Sequence, residues 1–173
     1  MKNPPGYAKL GLNRWEDGNE HTIPQDFADM LGWSELAAKV DSAYSLMPKD
    51  GRTTVLCGNY GEAGAINYYS KIPELKALTM NADYLYWFDL EEPVKNLILV
   101  RIDDEPITQR ELDIFEEYRE IGKITHPLSM EKGTTLPRRQ AGVHFLRGAK
   151  ADVNSILREE IAEEKAKISG NQN

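Results

Sequence analysis

A glycine-rich stretch from Gly58 to Ala65 has the residue types and spacing best suited to ligand chemistry. Glycines at positions 58, 61 and 64 directly follow Thr53–Cys57, and this order predicts a short buried strand that turns into a helix. Backbone N–H groups at such a helix start often hold phosphate. The spacing G-x-x-G-x-x-G, however, is neither the dinucleotide motif nor the phosphate-loop motif, and no lysine, serine or threonine follows at the phosphate-loop position.

The carboxylate of Glu62 favours a sugar over a phosphate as the ligand of this turn. In the first turn of a helix its charge pairs with the positive helix end and would repel an incoming phosphate, whereas sugar hydroxyls can donate to it. The candidate ligand residues are therefore Asn59, Tyr60, Gly61 and Glu62. An alternative stays open, in which the glycines only shape the turn and the packing of the helix, and Glu62 only pairs with the helix dipole.

An aromatic cluster between positions 84 and 88 offers a second surface for sugars. Sugar rings stack on aromatic faces, and Tyr84, Tyr86 and Trp87 are the candidates. Two other interpretations stay open. The aromatic side chains could end a strand and fill the core, or they could face a membrane interface, where Tyr and Trp are enriched.

The residue types most often used in catalysis or metal binding are poorly placed for either role. Cys57 lies in an apolar strand without a local base or cation, so we expect an inert core thiol. The three histidines, His21, His126 and His144, are scattered, and no group of ligand residues has metal-site spacing. We therefore predict neither a catalytic residue nor a metal site in this chain.

Periodicity predicts strands that alternate with helices. An amphipathic helix carries Trp33, Leu36, Val40 and Tyr44 on one face, and Thr108 with Glu111 forms a capping box. The capping box begins a helix whose apolar face is predicted to include Leu112 and Phe115. The predicted strands are Thr53–Cys57, Ala77–Met80, Asn96–Ile102, Glu120–Thr125 and Val143–Arg147.

This order predicts an α/β fold with three layers: a Rossmann-like, mostly parallel sheet with helices on both faces and an antiparallel pair at its edge. We divide the chain into an irregular lead-in at 1–22, a single α/β domain at 23–162 and a charged, frayed tail at 163–173. Ligands of such sheets bind at the carboxyl ends of the strands, which directs attention to the glycine turn.

Composition limits the classes of partner. The chain of 173 residues is 40% apolar and carries a net charge of −7. An acidic chain gains little binding free energy from contact with a phosphate backbone, so nucleic acid is excluded as the main partner. The sequence contains neither an apolar stretch of transmembrane length nor a signal-peptide pattern at its start.

Four blocks of the sequence resemble the C-terminal soluble region of bacterial glycosyltransferase family 39 proteins, which are membrane enzymes similar to the dolichyl-phosphate-mannose–protein mannosyltransferases. The first block is Trp15–Gly18 with Ile23–Trp33, and the second is Gly58–Ile66. The third is Gly122–Pro127, and the fourth is Arg147–Gly148. In order, the blocks lie within residues 15–158. The chain departs from the family where relatives carry a Ser-Gly-His-Asn-like stretch, since it has Thr-Met-Asn-Ala with Asn81, so binding by that stretch is in doubt here.

The resemblance implies a multi-pass parent protein with its transmembrane region N-terminal to this chain. This chain would lie on the extracytoplasmic, periplasmic side of the inner membrane. The parent would transfer a sugar from a polyprenyl-phosphate donor, and its catalytic acid would lie in the membrane part. The chain itself would need no cofactor. It would cap the active site and help to bind a lipid-linked sugar or a glycan acceptor, with Asn81, Tyr84 and Trp87 as further candidate ligand residues.

Two other classes of function stay open. The chain could be a free-standing α/β protein that binds a nucleotide or a sugar, in which case Asp83 is a candidate for the acid that binds ribose. It could also be a purely structural docking domain whose aromatic cluster faces the membrane part.

Overall fold

A five-stranded sheet organises the described part of the chain. The computed structural model describes residues 10–15, 18–29, 31–102, 106–124 and 140–170. The strand order across the sheet is β2-β1-β3-β5-β4. The strands are β1 (Arg52–Cys57), β2 (Ala77–Thr79), β3 (Val94–Ile102), β4 (Phe115–Ile124) and β5 (Ala141–Ala149).

The sheet is mostly parallel and has an antiparallel pair at one edge, as predicted. β1 runs parallel to β2 and to β3, with Leu56 opposite Leu78 and Leu99. β5 runs antiparallel to β3 and to β4, and Leu146 pairs with Leu97 on one side and with Tyr118 on the other. The predicted α/β architecture with a Rossmann-like open sheet is confirmed.

Helices cover both faces of the sheet, which gives the three predicted layers. The helices are α1 (Gln25–Asp29), α2 (Trp33–Ser45), α3 (Tyr60–Tyr69), α4 (Gln109–Ile114) and α5 (Val153–Gly170). On one face, α2 and α3 pack on Val55, Ile98 and Val100. On the other face, α5 packs on Leu97 and Leu99. Alternate residues of β1 and β3 thus belong to two separate cores, as the period-2 geometry of a strand requires.

Helix α2 forms as its apolar periodicity predicts. Leu36, Ala37, Val40 and Ala43 recur at helical spacing and are all buried. Gly32 precedes the helix with φ +87, a left-handed conformation that glycine adopts without steric cost. A Cβ at Gly32 would also lie only 3.1 Å from the side chain of Ile124, so the start of α2 is held close to the end of β4.

The prediction of a helical Phe115 was wrong. The capping box of Thr108 and Glu111 does start α4, but the helix ends at Ile114 and Phe115 begins β4. Phe115 pairs with Ala149 of β5, and its side chain is buried in the same core as Leu146. The residue is therefore a core residue as expected, but its backbone is held by the sheet, because tertiary pairing overrides local periodicity.

Two further segments differ from the predictions. The aromatic cluster does not end a strand: a 3₁₀ helix covers Ala82–Tyr86, with Ala82 at φ +52. Helix α5 continues through Gly170, so a helix extends across much of the segment predicted to be a frayed tail.

Thr125, the predicted last residue of a strand, and His126 lie outside the described residues. Within the described ranges, no helix combines the length and apolarity that a membrane span needs.

The outer edge of β2 is closed by a side chain in place of another strand. The carboxamide of Asn67 in α3 accepts from the backbone N–H of Ala77 at 2.8 Å and donates to its carbonyl at 2.9 Å. Ala77 is fully buried, so both backbone groups would otherwise lack a partner away from water. Asn67 thus pairs with β2 as a neighbouring strand would, and it blocks the pairing of a foreign strand at this position.

We expect the substitution Asn67→Leu to lower the free energy of unfolding by about 2 kcal/mol, because it removes both hydrogen bonds while the buried backbone groups of Ala77 remain. Asn67→Asp should lose less, because it keeps the acceptor for the Ala77 N–H. Urea denaturation measures both. Tyr68→Leu is the matched control on the same helix and should stay within about 0.5 kcal/mol, since Tyr68 is 80% exposed. An unchanged stability for Asn67→Leu would contradict this role.

Candidate functional site

The predicted glycine turn lies at the carboxyl ends of β1 and β3. From β1 the chain passes through α3 on one face and enters β2, while β3 lies on the other side of β1. The strand order therefore reverses direction between β1 and β3, which is where open α/β sheets leave a crevice for ligands. The Gly58 N–H donates to the Val100 carbonyl at 3.0 Å, so pairing with β3 continues up to the turn.

The turn is closed by its own asparagine. The Asn59 side chain accepts from the Glu62 N–H at 3.0 Å, and its backbone carbonyl accepts from the Ala63 N–H at 3.2 Å. Asn59 is therefore the N-cap of α3, and one of the N–H groups that could hold an anion is already occupied. The side-chain oxygen of this candidate ligand residue thus already accepts a hydrogen bond within the protein.

The capping side chain of Asn59 leaves little space at Gly61, and Trp33 of α2 lies beside it. A Cβ at this position would lie 3.2 Å from the Asn59 Oδ1 atom and 3.9 Å from the ring of Trp33. The helical periodicity predicted only that Trp33 lies on the apolar face of α2. Trp33 is, however, the first residue of α2. Because helical side chains tilt toward the N-terminal end of their helix, its side chain extends back over the helix start. The position of Trp33 at the start of its helix was the signal that could have identified it.

Glu62 faces the protein interior. Its side chain is only 8% exposed, and it acts on the neighbouring thiol of Cys57. Burial raises the pKa of the Cys57 thiol well above its usual range, and the negative charge of Glu62 raises it further. Cys57 is thus the buried core thiol that the sequence predicted. A buried carboxylate at the base of the turn makes the local field unfavourable for phosphate.

The candidate aromatic side chains divide between two places. Tyr60, the first residue of α3, is 64% exposed beside the turn. Tyr84 is half-buried, and a Cβ at Gly64 would lie 3.6 Å from its hydroxyl, so its ring packs beside α3. The rings of Tyr84 and Trp87 are tilted against each other at 4.3 Å between centroids. Trp87, however, borders a groove at the amino ends of the strands, away from the turn.

The remaining candidates, Asn81 and Tyr86, are exposed. The Asn81 N–H donates to the Thr79 hydroxyl at 3.3 Å just beyond β2, so the residue stays at the carboxyl edge. Tyr86 lies under the ammonium group of Lys165 at 4.5 Å. The structure thus brings Asn59–Glu62 together with Trp33, keeps Asn81 at the same edge and places Trp87 at the amino-edge groove.

Scans against models of known protein families, against curated proteins and against solved structures found no match to this chain. Across the described ranges, no group of His, Cys, Asp and Glu is arranged to hold a metal ion. Fold and site together define a Rossmann-like α/β domain with a polar, aromatic-bordered turn at its strand-order reversal.

The buried thiol predicts a specific alkaline sensitivity. The pKa of the Cys57 thiol is higher in the folded chain than in the unfolded chain, where it is about 8.5. The thiol therefore stabilises the fold below about pH 8.5, and this contribution is lost as the pH rises above that value. Between pH 8.5 and 10 the free energy of unfolding should fall by up to about 1.4 kcal/mol per pH unit from this group alone.

Urea denaturation across this pH range, compared with the Cys57→Ala variant, isolates the effect. The variant has its own lower stability from the lost side chain, but its dependence on pH should be flatter. Equal slopes for both proteins would show that Cys57 does not titrate on unfolding as burial requires.

Proposed function

We propose that this chain is an accessory domain of a membrane glycosyltransferase, similar to the family 39 enzymes, which uses a polyprenyl-phosphate sugar donor. The domain lies on the extracytoplasmic, periplasmic side of the inner membrane beside the parent's N-terminal transmembrane region. Its carboxyl-end turn faces the membrane active site and helps to bind a lipid-linked sugar or a glycan acceptor. Bond formation takes place in the membrane part, and this chain carries no catalytic residue.

The observation that carries this proposal is the meeting of separate blocks of resemblance on one surface. Gly32 and Trp33 belong to the first block, Gly61 to the second and Ile124 to the third. A Cβ at Gly32 would lie 3.1 Å from Ile124, and a Cβ at Gly61 would lie 3.9 Å from Trp33. Segments far apart in sequence thus pack around the carboxyl edge of the sheet, where α/β folds bind ligands.

The chemistry of the turn supports a sugar as the ligand. The Asn59 cap occupies a helix-start N–H, and the buried Glu62 carboxylate would repel a phosphate. The exposed ring of Tyr60 beside the turn offers a face on which a sugar ring can stack. The net charge of −7 also favours contact with a neutral sugar ring over contact with the phosphate of a lipid-linked donor.

A free-standing nucleotide-binding protein is the second candidate. It would use Asp83, which is exposed in the 3₁₀ helix next to the carboxyl edge, to bind ribose. The glycine spacing and Glu62 weigh against it. A thermal-shift screen with dinucleotides separates the two candidates, because a raised melting temperature with a dinucleotide would favour the second.

We expect Tyr60→Ala to impair sugar transfer by the full-length gene product. If Tyr60 stacks on the acceptor or the donor sugar, the KM should rise about tenfold with little change in kcat, because the lost contact stabilises the bound substrate and the transition state equally. Transfer from a polyprenyl-phosphate sugar to an acceptor in membrane vesicles is the measurement.

Tyr68→Ala is the matched control, because Tyr68 lies on the same helix, two turns further from the strand ends, and is 80% exposed. Its KM should equal that of the unsubstituted enzyme. Identical kinetics for both variants would argue against a binding role for the turn. The absence of sugar transfer by the full-length product would refute the proposed function itself.

A further inference from the structure

A groove of about 910 Å³ crosses the amino-terminal edge of the sheet, opposite the glycine turn. Its walls come from four stretches of chain: the end of α2 with the loop after it, the first residues of β1, the segment that leads into β2, and residues 87–92. All of these residues belong to the described ranges. The volume falls within the range of small-ligand sites, so the groove can hold an oligosaccharide-sized molecule.

Trp87 presents an aromatic face to this groove. Its ring is 58% exposed and packs against Tyr84, with 4.3 Å between the ring centroids. The Trp87 N–H donates to the Tyr84 carbonyl at 3.0 Å, which fixes the backbone at the end of the 3₁₀ helix. The hydrogen bond fixes the backbone and the Tyr84 ring supports one side of the indole, so less conformational entropy is lost when a ligand stacks on it.

An ion pair links two walls of the groove. The Arg52 guanidinium at the start of β1 lies 3.2 Å from the Asp89 carboxylate. The same carboxylate accepts from the Glu91 N–H at 3.1 Å. This hydrogen bond and, next, the charge of Arg52 hold the pKa of Asp89 below its ordinary value. Asp89 is therefore a charged hydrogen-bond acceptor held by two contacts. It lies two positions after Trp87 in the sequence, and both residues line the groove.

The charges around the groove are mixed and nearly balanced. Lys49, Arg52 and Lys76 oppose Glu74, Asp89, Glu91 and Glu92. Such a lining favours neither a polyanion nor a polycation. It suits a neutral ligand with many hydroxyl groups, which can donate to carboxylates and accept from ammonium and guanidinium groups while one ring stacks on tryptophan.

We propose that this amino-edge groove is a binding site for a neutral oligosaccharide, which stacks on Trp87 and donates a hydroxyl to Asp89. The choice of a sugar rests on the proposed function, but the location does not, because the groove lies at the opposite edge of the sheet from the glycine turn. The domain would then hold a glycan chain at a distance from the carboxyl-end surface.

The three tryptophans provide the test, since each reports on a different place. Trp87 lies in the groove, and Trp33 lies beside Gly61 at the carboxyl end. Trp15 is buried, and its indole N–H donates a hydrogen bond to the Ile23 carbonyl. Nitrogen-15-labelled chain is titrated with mannotriose, maltotriose and chitotriose up to about 10 mM, well above a Kd near 1 mM. The indole signals are recorded by NMR, and Trp87→Phe assigns the Trp87 signal.

At least one of the sugars should shift the Trp87 indole signal in a saturable manner and leave the signals of Trp33 and Trp15 in place. Trp87→Ala, followed by backbone amide signals, should raise the Kd about tenfold or more. Tyr86→Ala is the control, because Tyr86 is a neighbouring aromatic, 67% exposed, that does not border the groove. Its Kd should stay within about twofold, the scatter expected for a residue outside the contact.

Two outcomes would overturn the inference. A shift of Trp33 without Trp87 would place the sugar at the carboxyl-end turn, which removes the groove but leaves the proposed function intact. No shift with any of the three sugars would also remove the groove as an oligosaccharide site. The proposed function is judged separately, by sugar transfer from the full-length gene product.

Discussion

Residues 96–100 of strand β3 are buried on both faces, and both hydrophobic cores are built on them. Ile98 and Val100 point into the core under α2 and α3, while Leu97 and Leu99 point into the core under α5. A strand without contact to water must find hydrogen-bond partners on both sides, since unpaired backbone groups are costly in an apolar interior. β1 and β5 provide those partners. Every other element is therefore placed relative to β3.

Asparagine side chains continue the hydrogen bonding where the strands cannot. Asn67 closes the outer edge of β2, and Asn96 accepts from the Gly148 N–H at 3.2 Å. Asn154, on α5, accepts from the Val94 N–H at 2.8 Å and donates to the carbonyls of Leu90 and Glu92. These last bonds tie residues 90–94, which include part of the groove wall, to α5. The backbone of residues 90–94 at the amino edge is therefore held in place by α5.

The two surfaces that we propose for binding lie at opposite edges of one sheet. The carboxyl-end turn combines a buried carboxylate with the exposed ring of Tyr60, and the amino-edge groove combines an exposed tryptophan with balanced charges. Tyr84 connects them, because it lies beside Gly64 of α3 and against the ring of Trp87.

The sequence by itself determined the elements whose local signals agree with their burial. These are the α/β class, the apolar strand β3, the amphipathic helix α2, the capping box of α4 and the inert thiol of Cys57. It also located the Asn59–Glu62 turn at a strand end. Tertiary structure alone decided where Phe115 belongs, since pairing with Ala149 gains more than one further turn of helix. It also decided that Trp87 lies away from the turn and that Trp33 lies beside it. Such placements depend on contacts between segments distant in sequence, and neither spacing nor periodicity carries information about those contacts.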